Sequence, residues 1–422
     1  MEPTQKSDKL DEHIALVQDL LKKQKLIETM VHQHESPKQA IVESLVHRQH
    51  LAELDTKLKR LHTADIAHIL EILPMDDRLR IWELLIHQRG SDILLEVSES
   101  VRRSLINAMT EDQLRHALQQ MDADDLACIA DDIPDEILQS RLSSLSSEEQ
   151  DWLKHAMEYD EDSVGYLMSS EMIVIRETDQ LAEVETRLRS MKTFPIHTDK
   201  LFVIDRRGIL KGILSLENIL LNEPETRVSD AMATDAVKFT PDDNAGEASR
   251  AFERYDLVSA PVINQRGKLI GRLTVDIVMD YLREESSEDV LNMAGISAEE
   301  DLFSPFWDSA RNRGPWLLIN LFTAFIASSI IGLFEQTIVQ LVALAALMPI
   351  VASVGGNTGN QTATLIIRAL AQGRITRENS LQLIRKEISV GAINGVLLGL
   401  VVALFALILY QDVHLSLVIA AA

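Results

Sequence analysis

The last quarter of the chain contains three apolar stretches that are long enough to cross a lipid bilayer. They cover Trp316–Phe334, Ile338–Leu370 and Val390–Tyr410. A spanning helix needs about 20 predominantly apolar residues, and only helices and closed barrels satisfy their backbone polar groups in hydrocarbon. The sequence therefore predicts a helical transmembrane domain over residues 314–422. Apolar residues resume after Asp412, so we expect the start of a fourth span there and an incomplete transmembrane domain.

The second apolar stretch contains a polar patch that is rich in glycine. Its members are Pro349, Gly355, Gly356, Asn357, Gly359, Asn360 and Gln361. Irregular backbone and amide side chains occur at membrane depth only where they face protein or a water-filled path. The patch therefore predicts a pore lining, with backbone carbonyls freed at the glycines. The alternative is that the glycines only let helices approach closely, which leaves the three amide side chains unexplained.

A second glycine pattern lies in the third stretch. Gly391, Gly395 and Gly399 recur at four-residue intervals. On a helix they form one flat stripe, which favours close packing against another helix.

Charge is distributed unevenly along the chain. The formal net charge is −24, and all of the acidic excess lies before the apolar stretches. Such an excess repels phosphate and argues against a nucleic-acid partner. Cys128 is the single cysteine, which favours a reducing compartment. Basic residues before the first stretch and between the second and third predict a multi-pass protein of the cell (inner) membrane with its N-terminal domains in the cytosol.

The polar region begins with helical patterns. Residues 1–50 are predicted to be a helical extension, since apolar residues at helical spacing occur among charges in 8–33. Residues 51–165 repeat a short phrase, a helix closed by Pro or Asp, as in Leu73-Pro74-Met75-Asp76 and Ile133-Pro134-Asp135. This repetition predicts an all-α domain of stacked helices.

A second repeat predicts an α+β region. The phrase Leu201–Ser215 recurs as Ala260–Thr274, and each copy reads as a strand, a glycine turn and a second strand. Helices are predicted before each copy, near 180–191 and 245–255. This plan resembles a tandem pair of CBS (cystathionine β-synthase) domains, at 166–226 and 227–284. The resemblance implies a regulatory module that binds adenine nucleotides or other small ligands, so ATP is an expected ligand.

A row of acids follows the second repeat. Asp276, Asp280, Glu284 and Glu288 lie four residues apart and share one face of a helix, which we expect to connect to the membrane over 276–313. Like charges at this spacing repel by about 0.2–0.5 kcal/mol per pair. Divalent cations such as Mg²⁺ or Ca²⁺ would relieve that repulsion, because they prefer carboxylate oxygens. An ordinary solvated helix face is the alternative.

These features together resemble the MgtE family of magnesium channels. The resemblance is carried by the domain order, by the segment Tyr159–Met168, and by the Gly-Asn-Gln patch in the second stretch. It implies a homodimer in the lipid bilayer that conducts Mg²⁺ and closes when cytosolic Mg²⁺ bridges the soluble domains. It also implies that Asp276, Glu284 and Glu288 belong to the sensor, with Asp124 and Asp256 as partners. Met279 and Ser287 stand where further acids would strengthen it.

Other functions receive less support. The sequence contains no Gly-x-Ser-x-Gly phrase, no phosphate-binding Gly-Lys-Ser/Thr loop and no Cys/His quartet, so we do not predict an enzyme. A CBS-regulated transporter of another cation or solute, controlled by adenine nucleotide, is the main alternative. A membrane-tethered sensor without transport is a further one.

Overall fold

The computed structural model describes residues 10, 12–23, 52–297, 300–371, 375 and 379–421. It divides into a soluble unit, Met1–Arg283 with Glu299–Pro305, and a membrane unit, Glu284–Ala298 with Phe306–Ala422. The predicted fold class is confirmed, with an all-α N-domain, an α+β CBS pair and a helical membrane region. Part of the predicted N-terminal extension, residues 24–50, lies outside the described residues.

The N-domain consists of short helices around one apolar core. Its helices are α1 (12–23), α2 (52–58), α3 (Thr63–Ile72), α4 (Met75–Glu96), α5 (Glu99–Ala108), α6 (Glu111–Gln119), α7 (Ala123–Ile129), α8 (Asp135–Leu142) and α9 (Ser147–Ala156). Several begin at a side-chain cap; the Asp122 carboxylate accepts a hydrogen bond from the Asp125 amide at the start of α7. Trp82 lies in this core and is 2% exposed, and Val17 of α1 joins it. Helix α1 therefore packs on the core of the N-domain.

The CBS pair alternates short helices and strands. Its elements are α10 (Val164–Leu167), β1 (Val174–Arg176), α11 (Leu181–Ser190), β2 (Lys200–Ile204), β3 (Leu210–Ser215), α12 (Leu216–Leu221), α13 (Val228–Ala231), α14 (Ala245–Tyr255), β4 (Ser259–Ile263) and β5 (Leu269–Thr274). The predicted hairpins are confirmed: β2 pairs antiparallel with β3, and β4 with β5. Gly208 and Gly267 have φ values of 80° and 75° at the two turns, a conformation that favours glycine.

The two CBS domains exchange their leading segments. Val164 and Met168 are buried in the core of the second domain, whereas Val228 is buried in the core of the first. The hairpin turns also pair, since the Leu210 amide donates to the Gly267 carbonyl at 3.0 Å. Each core therefore includes leading residues of the other repeat, an exchange that a repeat in sequence does not reveal.

The predicted connecting helix is shorter in the structure. Helix α15 covers Val275–Met293 and does not continue to residue 313. Gly295 follows with φ 69°, and the Ile296 amide donates to the Leu291 carbonyl at 3.0 Å. This is the hydrogen-bond pattern of a glycine-terminated helix end, which explains why the helix stops there.

The membrane unit also contains helices α16 (Phe306–Gly332), α17 (Glu335–Gln340), α18 (Val342–Ala371), α19 (Ser380–Tyr410) and α20 (Val413–Ala421). Of the described helices, α16, α18 and α19 are long and apolar enough to span a bilayer, which agrees with the three predicted stretches. Helix α20 packs back on α19, because Gln411 turns the chain with φ 53° and Asp412 accepts hydrogen bonds from the His414 and Leu415 amides.

Candidate cation path and regulatory carboxylates

The glycine-rich patch is continuous helix, which corrects one expectation. Helix α18 runs through Gly355, Gly356 and Gly359 without interruption, so their carbonyls are not freed. A glycine costs only about 1 kcal/mol in a helix interior, and the bilayer favours closed backbone hydrogen bonds. The residue that does free a carbonyl is Pro349, which lies inside α18 and has no N–H to donate to Ala345.

The polar side chains of the patch share one face of α18. Asn357, Asn360 and Gln361 lie at helical spacing and are exposed. Ser353 and Thr364 extend the same face by a turn in each direction and are also exposed. Our sequence analysis missed these two residues, although their spacing of four from Asn357 and Asn360 was the available signal.

Another face of α18 packs against the rest of the membrane unit. Leu347 belongs to an apolar cluster with Ala406 of α19 and Leu415 of α20. The Thr362 hydroxyl lies 3.2 Å from a carboxylate oxygen of Glu387 on α19. The polar face, like most of α18, is therefore left uncovered by these helices. The three patch glycines likewise have no atom within 4 Å of an added Cβ.

Among the acids, Asp124 has the fullest set of partners. Its carboxylate accepts hydrogen bonds from the Ser169 hydroxyl at 2.6 Å and from the Ser170 hydroxyl and amide at 2.7 and 2.8 Å. The Glu171 amide adds a longer bond of 3.3 Å. Asp124 thus joins helix α7 to the loop ahead of β1 through protein donors, which sequence spacing did not predict.

Further acids surround Asp124 and perturb one another. Burial, with added repulsion from Asp122, raises the pKa of Asp125 to about 6. Burial and then the charges of Asp122 and Asp124 also raise the pKa of Glu171. Burial is the main cause of both raised pKa values, and repulsion between neighbouring acids adds to it.

The first two acids of the predicted row lie in the soluble unit on α15. The Asp276 carboxylate is 3.5 Å from Nε2 of His197, and its Oδ1 atom is buried with no donor among the described residues. Partial burial and then Asp276 raise the pKa of Asp280. These two acids repel each other as the sequence spacing predicts.

The remaining predicted ligands are exposed. Glu284 and Glu288 are exposed on the later turns of α15, where Glu288 accepts a hydrogen bond from Asn292 at 3.3 Å. Asp256 is exposed at the end of α14 with φ 50°. In the part of the chain that the structure describes, no three His, Cys, Asp or Glu side chains converge as a ready-made metal site.

Comparison with known proteins places these features in a family. Three family models match: the MgtE intracellular N domain over residues 61–162, the CBS domain over 164–224 and 228–284, and the divalent cation transporter over 348–422. The magnesium transporter MgtE of Thermus thermophilus is 30% identical over 359 residues, which are 83% of this chain and 80% of that protein. MgtE of Bacillus subtilis is 28% identical over 86% of this chain and 80% of its own length.

A solved structure of the soluble part of a magnesium transporter is also similar to this chain. The match has 19% sequence identity and a TM-score of 0.48, and it covers 66% of this chain and 99% of the other. The fold and the matched segments define a membrane protein whose transport region is joined to a helical domain and a CBS pair. The chain belongs to the MgtE family.

Proposed function

We propose that this protein conducts Mg²⁺ across the membrane along the polar face of α18. The relatives at 28–30% identity are magnesium transporters. The observation that carries the proposal is that Asn357, Asn360 and Gln361 lie exposed on one face of a helix that is apolar enough to span a bilayer. Facing lipid, such amides would be costly, so they belong against water or protein.

The chemistry of this face suits a hydrated ion. Mg²⁺ gives up its water reluctantly, and neutral amides and hydroxyls can hydrogen-bond to those waters without removing them. The carbonyl of Ala345, released by Pro349, adds an acceptor on the same helix. Selectivity then depends on the fit of the ion with its water shell.

A second copy of the chain would complete the path. Within one chain the polar face of α18 is uncovered, and an isologous pair of copies would place two such faces opposite each other. We therefore propose a homodimer, with its transmembrane part in the cell (inner) membrane and its soluble unit in the cytosol. ATP binding at the CBS pair stays a prediction.

Cytosolic Mg²⁺ is the proposed closing signal. Asp125, Glu171 and Asp280 all have pKa values raised by burial and neighbouring acids. A divalent cation with its waters would neutralise these charges without needing a tight ligand cluster. Its binding would hold the N-domain, the CBS pair and α15 in one arrangement and so bias the pore.

The conduction proposal is tested by Mg²⁺ uptake into liposomes containing the full chain. We expect Asn357→Leu to reduce uptake by roughly tenfold or more, because it removes a polar contact from the path. The matched control is Thr358→Val, whose hydroxyl donates to the Val354 carbonyl of its own helix at 2.9 Å. Unchanged uptake in Asn357→Leu would remove this residue from the path.

The gating proposal is tested by the internal Mg²⁺ concentration that halves uptake. We expect the triple variant Asp276→Asn, Glu284→Gln, Glu288→Gln to stay open at Mg²⁺ levels that close the wild type. The control, Glu217→Gln with Glu223→Gln and Glu225→Gln, removes the same charge from exposed positions of the first CBS domain. Equal shut-off in both variants would refute the sensor role.

A further inference from the structure

A fully buried arginine lies in the N-domain outside the proposed sensor. Arg78 of α4 is 0% exposed. Its Nε donates to the Leu70 carbonyl at 2.8 Å, and Nη1 donates to the Ser104 hydroxyl at 3.2 Å. These neutral acceptors leave the positive charge uncompensated, and a buried charge is costly unless an opposite charge pairs with it.

The opposite charge comes from Asp301, far along the chain. Both terminal nitrogens of Arg78 donate to its carboxylate, with Nη2 to Oδ1 at 3.2 Å. The Asp301 side chain is only 9% exposed. Its geometry is that of a two-pronged guanidinium–carboxylate pair, which fixes orientation as well as charge.

Asp301 also shapes the segment that leads to the first span. Its carboxylate accepts a bond from the Phe303 amide at 3.3 Å, and its carbonyl accepts one from the Ser304 amide at 3.0 Å. Pro305 then leads directly into α16, which begins at Phe306. One side chain thus joins the N-domain to the turn immediately ahead of a membrane helix.

We propose that Arg78 and Asp301 form a charge latch, through which movement of the N-domain is transmitted along residues 300–305 to α16. Release of the segment would leave the buried Arg78 charge without its partner, so the docked arrangement is favoured. The latch needs no metal, and it therefore adds a direct mechanical link to the proposed Mg²⁺ control. Its effect on transport rests on that proposed function, whereas its existence does not.

The latch is tested by hydrogen–deuterium exchange on the full chain in detergent. We expect Asp301→Asn, which keeps the size of the side chain, to speed exchange at Phe303 and Ser304 by on the order of tenfold or more, since a charge-assisted pair is lost. Asp308→Asn is the matched control, because Asp308 is an exposed acid in the first turn of α16. Unchanged exchange in Asp301→Asn would overturn the latch.

A second variant separates the latch from general misfolding. Arg78→Met keeps an extended apolar side chain, and slow exchange at core amides such as that of Leu70 reports an intact N-domain. We expect this variant and the double variant with Asp301→Asn to release the segment equally, because the two changes break one interaction. Release that adds up in the double variant would mean that the two residues act separately, contrary to the proposal. Protection in the wild type should persist at high salt, since buried pairs are poorly screened.

Transport then tests the transmission. In liposomes, Asp301→Asn should raise the internal Mg²⁺ concentration that halves uptake by roughly fivefold or more, a typical size for coupling between sites. Faster exchange with an unchanged Mg²⁺ response would overturn the transmission. Should the wild type fail to transport Mg²⁺, the proposed function falls, and the exchange experiment alone still decides the latch.

Discussion

The polar side chains discussed above have partners within the chain in the soluble unit, whereas those of α18 in the membrane unit are exposed. In the soluble unit, the Asp124 carboxylate accepts bonds from Ser169, Ser170 and Glu171, and the buried Arg78 is paired with Asp301. In the membrane unit, Asn357 and Asn360 of α18 are exposed. In these cases the soluble unit supplies partners from its own chain, whereas the amides of α18 are left exposed.

The same contrast holds for apolar side chains. The N-domain buries Trp82, Leu85 and Leu94 to 2% exposure or less. In each of the three candidate spans, at most 6% of the apolar segment is buried within the chain. A long helix with apolar residues on all sides is stable only when lipid or other helices cover it. The chain thus combines a buried apolar core in the N-domain with apolar helices that need lipid or other helices to cover them.

The largest expected effect is on the free energy of unfolding of the N-domain, and it distinguishes a buried tryptophan from an exposed one. Trp82→Ala should lower the free energy of unfolding of the N-domain by about 3–5 kcal/mol, because it leaves a cavity in a packed core. Trp307→Ala should change it by less than about 0.5 kcal/mol, since Trp307 is 74% exposed. Urea titration of the full chain in detergent, with proteolysis of the N-domain as the probe, measures both. Similar losses of unfolding free energy in the two variants would contradict the difference in packing between the units.

Much of the fold was predictable because local patterns determine it. The hairpins of the CBS pair follow from glycines that adopt positive φ at Gly208 and Gly267, and the spans follow from length and hydropathy. The exchange of α10 and α13 between the two domains was not predictable. It depends on which of two similar cores receives Val164 and Val228, and a repeat makes both choices look alike in sequence.

The candidate site was predictable in composition but less so in geometry. Composition identified the amides of the second span as a polar patch, but the expected broken backbone is wrong because glycine costs only about 1 kcal/mol in a helix interior. The partners of Asp124 and Arg78 lie 45 and 223 residues away in the chain. Contacts at such separations leave no periodic signal, so only the folded chain reveals them.

A smaller effect is expected from removing the Asp124 carboxylate, which accepts hydrogen bonds from the loop at Ser169. Asp124→Ala should weaken the attachment of α7 to the loop at Ser169 by about 1–3 kcal/mol, because hydroxyl and amide donors lose a charged acceptor. Asp112→Ala is the matched control, since Asp112 occupies the same second position of a short helix, α6, and is exposed. Hydrogen exchange at Ser170 and Glu171 provides the measurement. Equal exchange in the two variants would show that Asp124 acts only through the helix end.

The stability of the N-domain should depend on pH through Asp125. In the folded chain the pKa of Asp125 is raised from 3.8 to about 6, so the folded state binds this proton more tightly than the unfolded state. The stability this provides is complete below about pH 4 and is lost as the pH rises to about 6. Asp125→Asn should therefore stabilise the N-domain at pH 7.5 by about 1 kcal/mol, after allowance for solvent screening.

Unfolding of wild type and Asp125→Asn at several pH values tests this expectation. The variant should lose the decline between pH 4 and 6 and resemble the wild type at the acidic end. A parallel pH profile in both proteins would mean that Asp125 ionises freely in the folded chain. Mg²⁺ should stabilise the wild type more at pH 7.5 than at pH 5, because protonation of Asp125 removes the charge that would attract the cation.

The smallest expected effect concerns the glycine stripe of α19, whose members differ in how closely other atoms approach them. An added Cβ at Gly395 meets no atom within 4 Å, whereas at Gly399 it lies 3.1 Å from the Ala420 carbonyl oxygen. Within a single chain, Gly395→Ala should be neutral or stabilising by less than about 1 kcal/mol, since alanine favours a helix. If a second copy covers the stripe, the same methyl group would instead weaken dimerisation.

The mass of the purified protein in detergent, measured across a dilution series, distinguishes these cases. Easier dissociation of Gly395→Ala than of the wild type would place the stripe in a subunit interface and identify one of the surfaces that the membrane unit leaves open. Unchanged dissociation would exclude the stripe from a subunit interface and leave the polar face of α18 as the proposed contact between copies.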